Sequence, residues 1–66
     1  MQIKYDPTAD VLMLLVRDDE PVDAVEEPGG VIISYGKDGE PVSVEFLNAA
    51  KRQLVQPGNL SVPVNV

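Results

Sequence analysis

The sequence predicts a mostly β protein of the α+β class, with a small antiparallel meander of four to five strands followed by one short C-terminal helix. Short apolar segments alternate with clusters of Pro, Gly and Asp up to about residue 47, which is typical of strands and turns. Several segments alternate apolar and polar residues with a period of two, as half-buried strands do. Residues 49–54 are the one stretch with helix-favouring composition throughout.

The first two strands are predicted on either side of a turn at residues 6–10. Met1, Ile3 and Tyr5 alternate with polar residues, so this first segment has one apolar face. The next segment, residues 11–16, is apolar without a break. Its length suits a strand better than a helix, and turn or acidic clusters bound it on both sides.

Acidic and glycine-rich turns separate the remaining predicted strands. Residues 36–39 contain two glycines, which supply the positive φ angles that hairpin turns need. Val42, Val44 and Phe46 alternate with polar residues and predict a strand with one apolar face. The later strands are expected over residues 22–26, 31–35 and 42–46, with turns at 17–21, 28–30 and 36–39.

The C-terminal part is predicted to form the helix and then a tail. Asn48 is a good helix N-cap, and Lys51 and Arg52 lie where cations complement the helix dipole. We therefore expect one domain over residues 1–54. The tail, residues 55–66, is expected either to remain loose or to add an edge strand.

Composition excludes several classes of function. The chain contains no Cys and no His, which excludes disulfides and the usual zinc, copper or nickel sites, and no cofactor is expected. A net charge of −6 repels phosphates and anionic lipids, so nucleic acid is not an expected partner. The longest apolar run is too short to span a bilayer. The N-terminus lacks an export signal, so we expect a cytoplasmic protein without membrane attachment.

The second predicted strand is apolar on both faces, which predicts a partner chain. Val11, Met13 and Leu15 alternate with other apolar residues, and one short helix can cover only one side of a sheet. Exposing a large apolar side chain forgoes about 1.5–3 kcal/mol. A second copy in a symmetric homodimer would cover these three residues. The alternative is that the tail folds back over the same face.

A set of motifs in a fixed order runs through about residues 1–54: Tyr5-Asp6-Pro7, Ala9-Asp10, Val11-Leu12, Pro28-Gly29, Val31-Ile32, Tyr35, Asp38-Gly39, Glu45 and Leu47-Asn48-Ala49-Ala50-Lys51-Arg52. In these motifs the sequence resembles one family of small bacterial and archaeal proteins, the domain-of-unknown-function 2283 family. The resemblance implies a small antiparallel sheet followed by a short helix, and no activity. It also implies an antitoxin role as one function to consider, since members are often encoded beside small toxin-like proteins. Met13 and Leu15 depart from the pattern, which has an aromatic and a polar or basic residue there.

A dense group of acids follows the second predicted strand and is a candidate surface for a basic protein partner. A metal-site interpretation lacks the glycine turn and ligand order of a calcium loop. The alternative is a solvated loop and edge strand, where acids oppose edge-to-edge aggregation. The group consists of Asp18, Asp19, Glu20, Asp23, Glu26 and Glu27.

No residue pattern predicts catalysis. Paired carboxylates such as Asp6 and Asp10 can act as acid and base only when an apolar pocket raises one pKa. In this turn they are expected to cap backbone groups, and Tyr5 is expected to end its strand with its hydroxyl in water. The leading hypothesis is therefore a non-catalytic, homodimeric interaction module, an antitoxin-like partner of a basic protein. The alternative is a small-molecule-binding domain with an apolar pocket at the subunit interface.

Overall fold

A computed structural model describes residues 1–55, which form a five-stranded antiparallel sheet. The prediction of a small, mostly β, antiparallel fold is confirmed. Turns at residues 7–10, 28–30 and 36–40 lie where clusters of Pro, Gly and Asp predicted them. The strands are β1 Gln2–Asp6, β2 Val11–Leu15, β3 Asp23–Glu27, β4 Val31–Tyr35 and β5 Pro41–Leu47.

The predicted meander is wrong, because the strand order across the sheet is β1-β2-β5-β4-β3. The last strand, β5, lies between β2 and β4 and pairs with both. This order gives the apolar β2 two neighbours, whereas the fully exposed, acidic β3 forms an edge. The connection over residues 16–22 reaches that edge past the ends of β5 and β4. Two backbone hydrogen bonds hold this connection against the sheet: the Val16 N–H donates to the Val42 carbonyl, and the Val22 N–H donates to the Tyr35 carbonyl.

Strand register divides the side chains between two faces of the sheet. Leu12 lies opposite Tyr5 on one side and Phe46 on the other, and these three residues share what we call the core face. Residues alternate along a strand, so the neighbours of Leu12 in β2 belong to the opposite face, here called the open face. The open face of β2 is formed by Val11, Met13 and Leu15.

The buried core lies at one end of the core face, where the chain after β5 packs on the sheet. Ala49 and Val55 are almost fully buried against Leu12. Tyr5 and Phe46 border this cluster as partly buried neighbours. Residues 48–55 therefore cover part of the core face, as the predicted C-terminal element was expected to do.

The short helix predicted over residues 49–54 is not confirmed, because this segment forms a single turn that closes on itself. The Leu54 N–H bonds to the Ala49 carbonyl and the Gln53 N–H to the Ala50 carbonyl, with Gln53 at a φ of +61°. These two bonds and the left-handed residue define a Schellman motif, which ends a helix. The reversal directs Leu54 and Val55 onto the core face, and their burial outweighs the helical preference of the sequence.

Asn48 does not act as the predicted N-cap. Its φ is +56°, whereas an N-cap residue has an extended backbone. Apart from Val55, the predicted tail over 55–66 lies outside the described residues. Within residues 1–55 the structure contains no helix able to cross a membrane.

Candidate interaction surfaces

Asp10 joins the β1–β2 turn to the segment that follows β5. Its Oδ1 accepts hydrogen bonds from the Tyr5 hydroxyl at 2.7 Å and from the Ala50 N–H at 2.8 Å. Its backbone carbonyl accepts the Ala49 N–H at 3.1 Å. Asp10 itself has a φ of +56°, a conformation that Asp tolerates better than most residues. The first N–H groups of the 48–55 turn are thus capped by a residue 40 positions earlier in the chain.

These contacts shift two pKa values in opposite directions. The Ala50 N–H, the Tyr5 hydroxyl and the nearby Lys51 hold the pKa of Asp10 below its ordinary 3.8. The hydrogen bond to Asp10 raises the pKa of Tyr5, because losing the phenolic proton would bring two negative charges together. The expectation for Tyr5, a hydroxyl in water at the end of its strand, did not include this hydrogen bond to Asp10.

The expectation that Asp6 and Asp10 cap backbone groups is confirmed for both residues. Asp6 Oδ1 accepts the N–H groups of Thr8 and Ala9 within the same turn, while Asp10 caps the distant segment. Sequence proximity suggested a local role for Asp10. No local pattern in the sequence indicates the contact with the 48–55 segment, which lies 40 positions away.

A second polar cluster fixes the opposite end of the sheet, and the sequence analysis did not anticipate it. Arg17 Nη2 donates to Asp38 Oδ1, and Arg17 Nε lies 2.8 Å from Asp19 Oδ2. The guanidinium lowers the pKa of Asp38 to about 2. A Cβ on Gly36 would lie 2.9 Å from Arg17 Nη2 and 3.2 Å from Val42 Cγ2, so a larger residue there would require the end of the Arg17 side chain to move. The sequence did contain one indication of this cluster. Arg17 is the only basic residue between Lys4 and Lys37, so it is the one cation available to the acids of that stretch.

The three residues predicted as an oligomer interface lie at alternate positions of β2 and project from the open face. Val11, Met13 and Leu15 are half-buried, and the 48–55 segment packs on the other face. Val11 and Met13 line an open depression of about 550 Å³ that Lys4 and Glu45 border. Leu15 lies at a different depression, near Met1 and Val16. The three residues thus form one continuous apolar line rather than the wall of an enclosed pocket.

The acidic group follows the chain from the end of β2 to edge strand β3. Asp18 lies near Met1 and Leu15 at the β2 end, whereas Asp23, Glu26 and Glu27 lie in β3, here called the acidic edge. The six members of the acidic group are all exposed: Asp18, Asp19, Glu20, Asp23, Glu26 and Glu27. Asp19 faces Arg17, and Asp23 accepts the N–H of Ala24. The other five acids of the chain equal its five basic residues in number, so these six acids account for the net charge of −6.

The described acids do not converge on a point. Among residues 1–55, no group of three carboxylates is arranged to hold a metal ion. Glu26 and Glu27 are consecutive in β3 and project to opposite faces of the sheet. This arrangement spreads negative charge along β3 rather than gathering it at one point.

Over residues 1–55, the fold and these surfaces define a small antiparallel β-sheet domain with one face covered by the 48–55 segment, the open face, and the acidic edge at β3. Residues 2–49 match the family described as "Protein of unknown function (DUF2283)". The match covers more than half of the chain, so the protein belongs to this family. Comparisons with curated proteins and with solved structures found no match.

Proposed function

We propose that the protein is a non-catalytic interaction module that binds a basic protein partner along its acidic edge and associates with itself through the open face of β2. The observation that carries the proposal is the position of Asp23, Glu26 and Glu27 in β3, which is an edge strand of the sheet within residues 1–55. An edge strand offers unpaired backbone N–H and C=O groups to another extended chain. The negative charge of β3 favours the approach of basic chains over acidic ones.

The electrostatics favour a basic partner of extended conformation. β3 is paired on one side by β4, and all five of its residues are exposed. Opposite charge accelerates encounter with a cationic segment and repels acidic ones. An antitoxin-like role, in which the partner is a small basic toxin, is one form of this proposal.

A peptide of alternating Lys and Val should bind this edge. We expect amide shifts concentrated in residues 18–27 of the ¹⁵N-labelled protein, and loss of binding at about 1 M salt, where charges are screened within about 3 Å. Glu26→Gln should weaken binding by roughly threefold, as expected for one exposed charge pair. NMR titration at low and high salt measures both effects.

Glu40→Gln is the matched control, because Glu40 is also exposed but lies in the β4–β5 turn. It should leave the affinity for the peptide unchanged. Equal weakening by both variants, or equal binding of a Glu–Val peptide, would show that the edge does not select basic chains.

A small-molecule site on the open face is the second candidate function. It is favoured by the depression of about 550 Å³ beside Met13, which combines apolar walls with charged groups of both signs. The depression is open in the single chain, so enclosure of a ligand would need a second subunit. A metabolite that stabilises the wild type but not Met13→Glu would favour this candidate over protein binding alone.

A further inference from the structure

Opposite charges flank the centre of the open face. Strand register places Lys4 directly beside Met13 on one side and Glu45 directly beside it on the other. Lys4 is exposed and Glu45 is half-buried. Within residues 1–55 both ion pairs belong to Arg17, so neither Lys4 nor Glu45 is paired with an opposite charge.

The spacing of these charges matches a two-fold symmetric contact. Neighbouring strands lie about 4.8 Å apart, so Lys4 and Glu45 are about 10 Å apart with Met13 midway between them. Rotation by 180° about an axis in the contact plane, parallel to β2 and through Met13, exchanges the two sides of the strand. It places Lys4 of each copy over Glu45 of the other.

We propose that a second copy of this chain packs open face to open face about this axis, with two Lys4–Glu45 ion pairs on either side of a central apolar line. The proposal rests on the proposed self-association and adds its geometry. Val11, Met13 and Leu15 each meet their own counterpart along the axis, as an isologous contact requires. The charges lie at the rim of the line, where water reaches them.

The charge pattern also excludes the other simple arrangement. An in-plane axis perpendicular to β2 through Met13 would place Lys4 over Lys4 and Glu45 over Glu45, and like charges repel. About the favoured axis, β2 of one copy lies over β2 of the other, and β1 of each copy lies over β5 of the other. Three short strands form a small contact, so the dimer is expected to be weak and dependent on concentration.

Charge reversal of either residue tests the arrangement. Lys4→Glu places two Glu–Glu contacts in the dimer, and Glu45→Lys places two Lys–Lys contacts. We expect each purified variant to have a dimer dissociation constant about 100-fold above that of the wild type. Mixing the two variants restores both ion pairs, since each copy then supplies the charge that the other needs. Sedimentation velocity should show a heterodimer in the mixture at concentrations where each variant alone is monomeric.

Lys37→Glu and Glu40→Lys are the matched controls, because both residues are exposed in the β4–β5 turn and away from the open face. They should leave the dimer unchanged. Should a reversal variant fail to fold by circular dichroism, Lys4→Gln and Glu45→Gln replace it. These two should weaken the dimer and remove most of its salt dependence.

Three results would overturn the arrangement, and each identifies what failed. A wild type that is monomeric at every concentration refutes the self-association itself. Reversal variants that dimerise like the wild type place the contact elsewhere, for example on the core face. Variants that are monomeric alone and remain so when mixed refute the two-fold axis, because a charge effect within one chain is not relieved by mixing.

Discussion

Leu12→Ala is expected to destabilise the domain by about 2–5 kcal/mol, the usual cost of removing a buried leucine side chain. Leu12 is 5% exposed and contacts the turn residues Ala49 and Val55 as well as the sheet. Domains of this size have total stabilities in the range of about 3–10 kcal/mol. The substitution should therefore lower the melting temperature by roughly 10–30 °C or leave the protein largely unfolded. Thermal and urea unfolding followed by far-ultraviolet circular dichroism measures the loss.

Ile3→Ala is the matched control for this substitution. It deletes the same number of carbon atoms from the same face, but Ile3 lies on edge strand β1 and is 47% exposed. Its cost should be below about 1 kcal/mol, because little apolar surface is returned to water. Equal losses for the two variants would contradict the position assigned to the core.

Asp10→Ala is expected to detach the 48–55 turn and lower the melting temperature by roughly 10 °C, comparable to the loss of a helix cap combined with backbone strain. The variant loses the acceptor for Tyr5 and Ala50, and alanine is disfavoured at a φ of +56°. Asp10→Asn keeps an oxygen acceptor and tolerates that backbone conformation, so its loss should be intermediate. Asp6→Ala removes only a local, exposed cap and should cost a few degrees at most.

The pH dependence of stability gives a separate readout of the same contact. The pKa of Asp10 is lowered on folding, so its contribution is present above pH 3.8 and disappears as pH falls through the lower folded value. The pKa of Tyr5 is raised, so its contribution is present below pH 10.0 and disappears as pH rises through the higher folded value. Asp10→Asn should flatten both limbs of the melting-temperature profile.

An Asp10→Asn profile that parallels the wild type at both extremes of pH would contradict the role given to Asp10 in joining the β1–β2 turn to the 48–55 turn. Asp38 also has a lowered pKa, so part of the acid limb will remain in any Asp10 variant. Arg17→Gln removes the partner of Asp38. The difference between its acid-side melting profile and that of the wild type gives the part of the acid-side loss of stability that is due to Asp38.

Sequence patterns predicted the strands well but not their order. Alternation and turn chemistry are local, and they locate β1, β4 and β5 within a residue or two. The pairing of β2 with β5 joins segments about 30 residues apart, and no local preference encodes it. The unbroken apolar character of β2 was the available indication that it lies inside the sheet rather than at an edge.

The helix prediction failed because tertiary contacts decided the conformation of residues 48–55. Ala49, Ala50, Lys51 and Arg52 favour a helix by composition, but burial of Leu54 and Val55 requires the chain to reverse after one turn. The capping group also comes from Asp10, far away in the sequence. Helix propensity alone predicts neither the burial of Leu54 and Val55 nor the capping by Asp10.

The surface residues were predictable in kind but not in arrangement. The acidic group and the apolar residues of β2 are visible in the sequence, since charge and hydrophobicity are properties of single residues. The placement of Lys4 and Glu45 on either side of Met13 depends on strand register. It therefore became visible only with the sheet.

The central claim is that β2 has one face covered by its own chain and another that needs a second copy. Sedimentation equilibrium of the wild-type protein over a wide range of concentrations tests it most directly. The mass should rise from about 7.1 kDa towards twice that value as concentration increases. A mass that remains at 7.1 kDa up to millimolar concentration, in a protein that is fully folded, would contradict the claim.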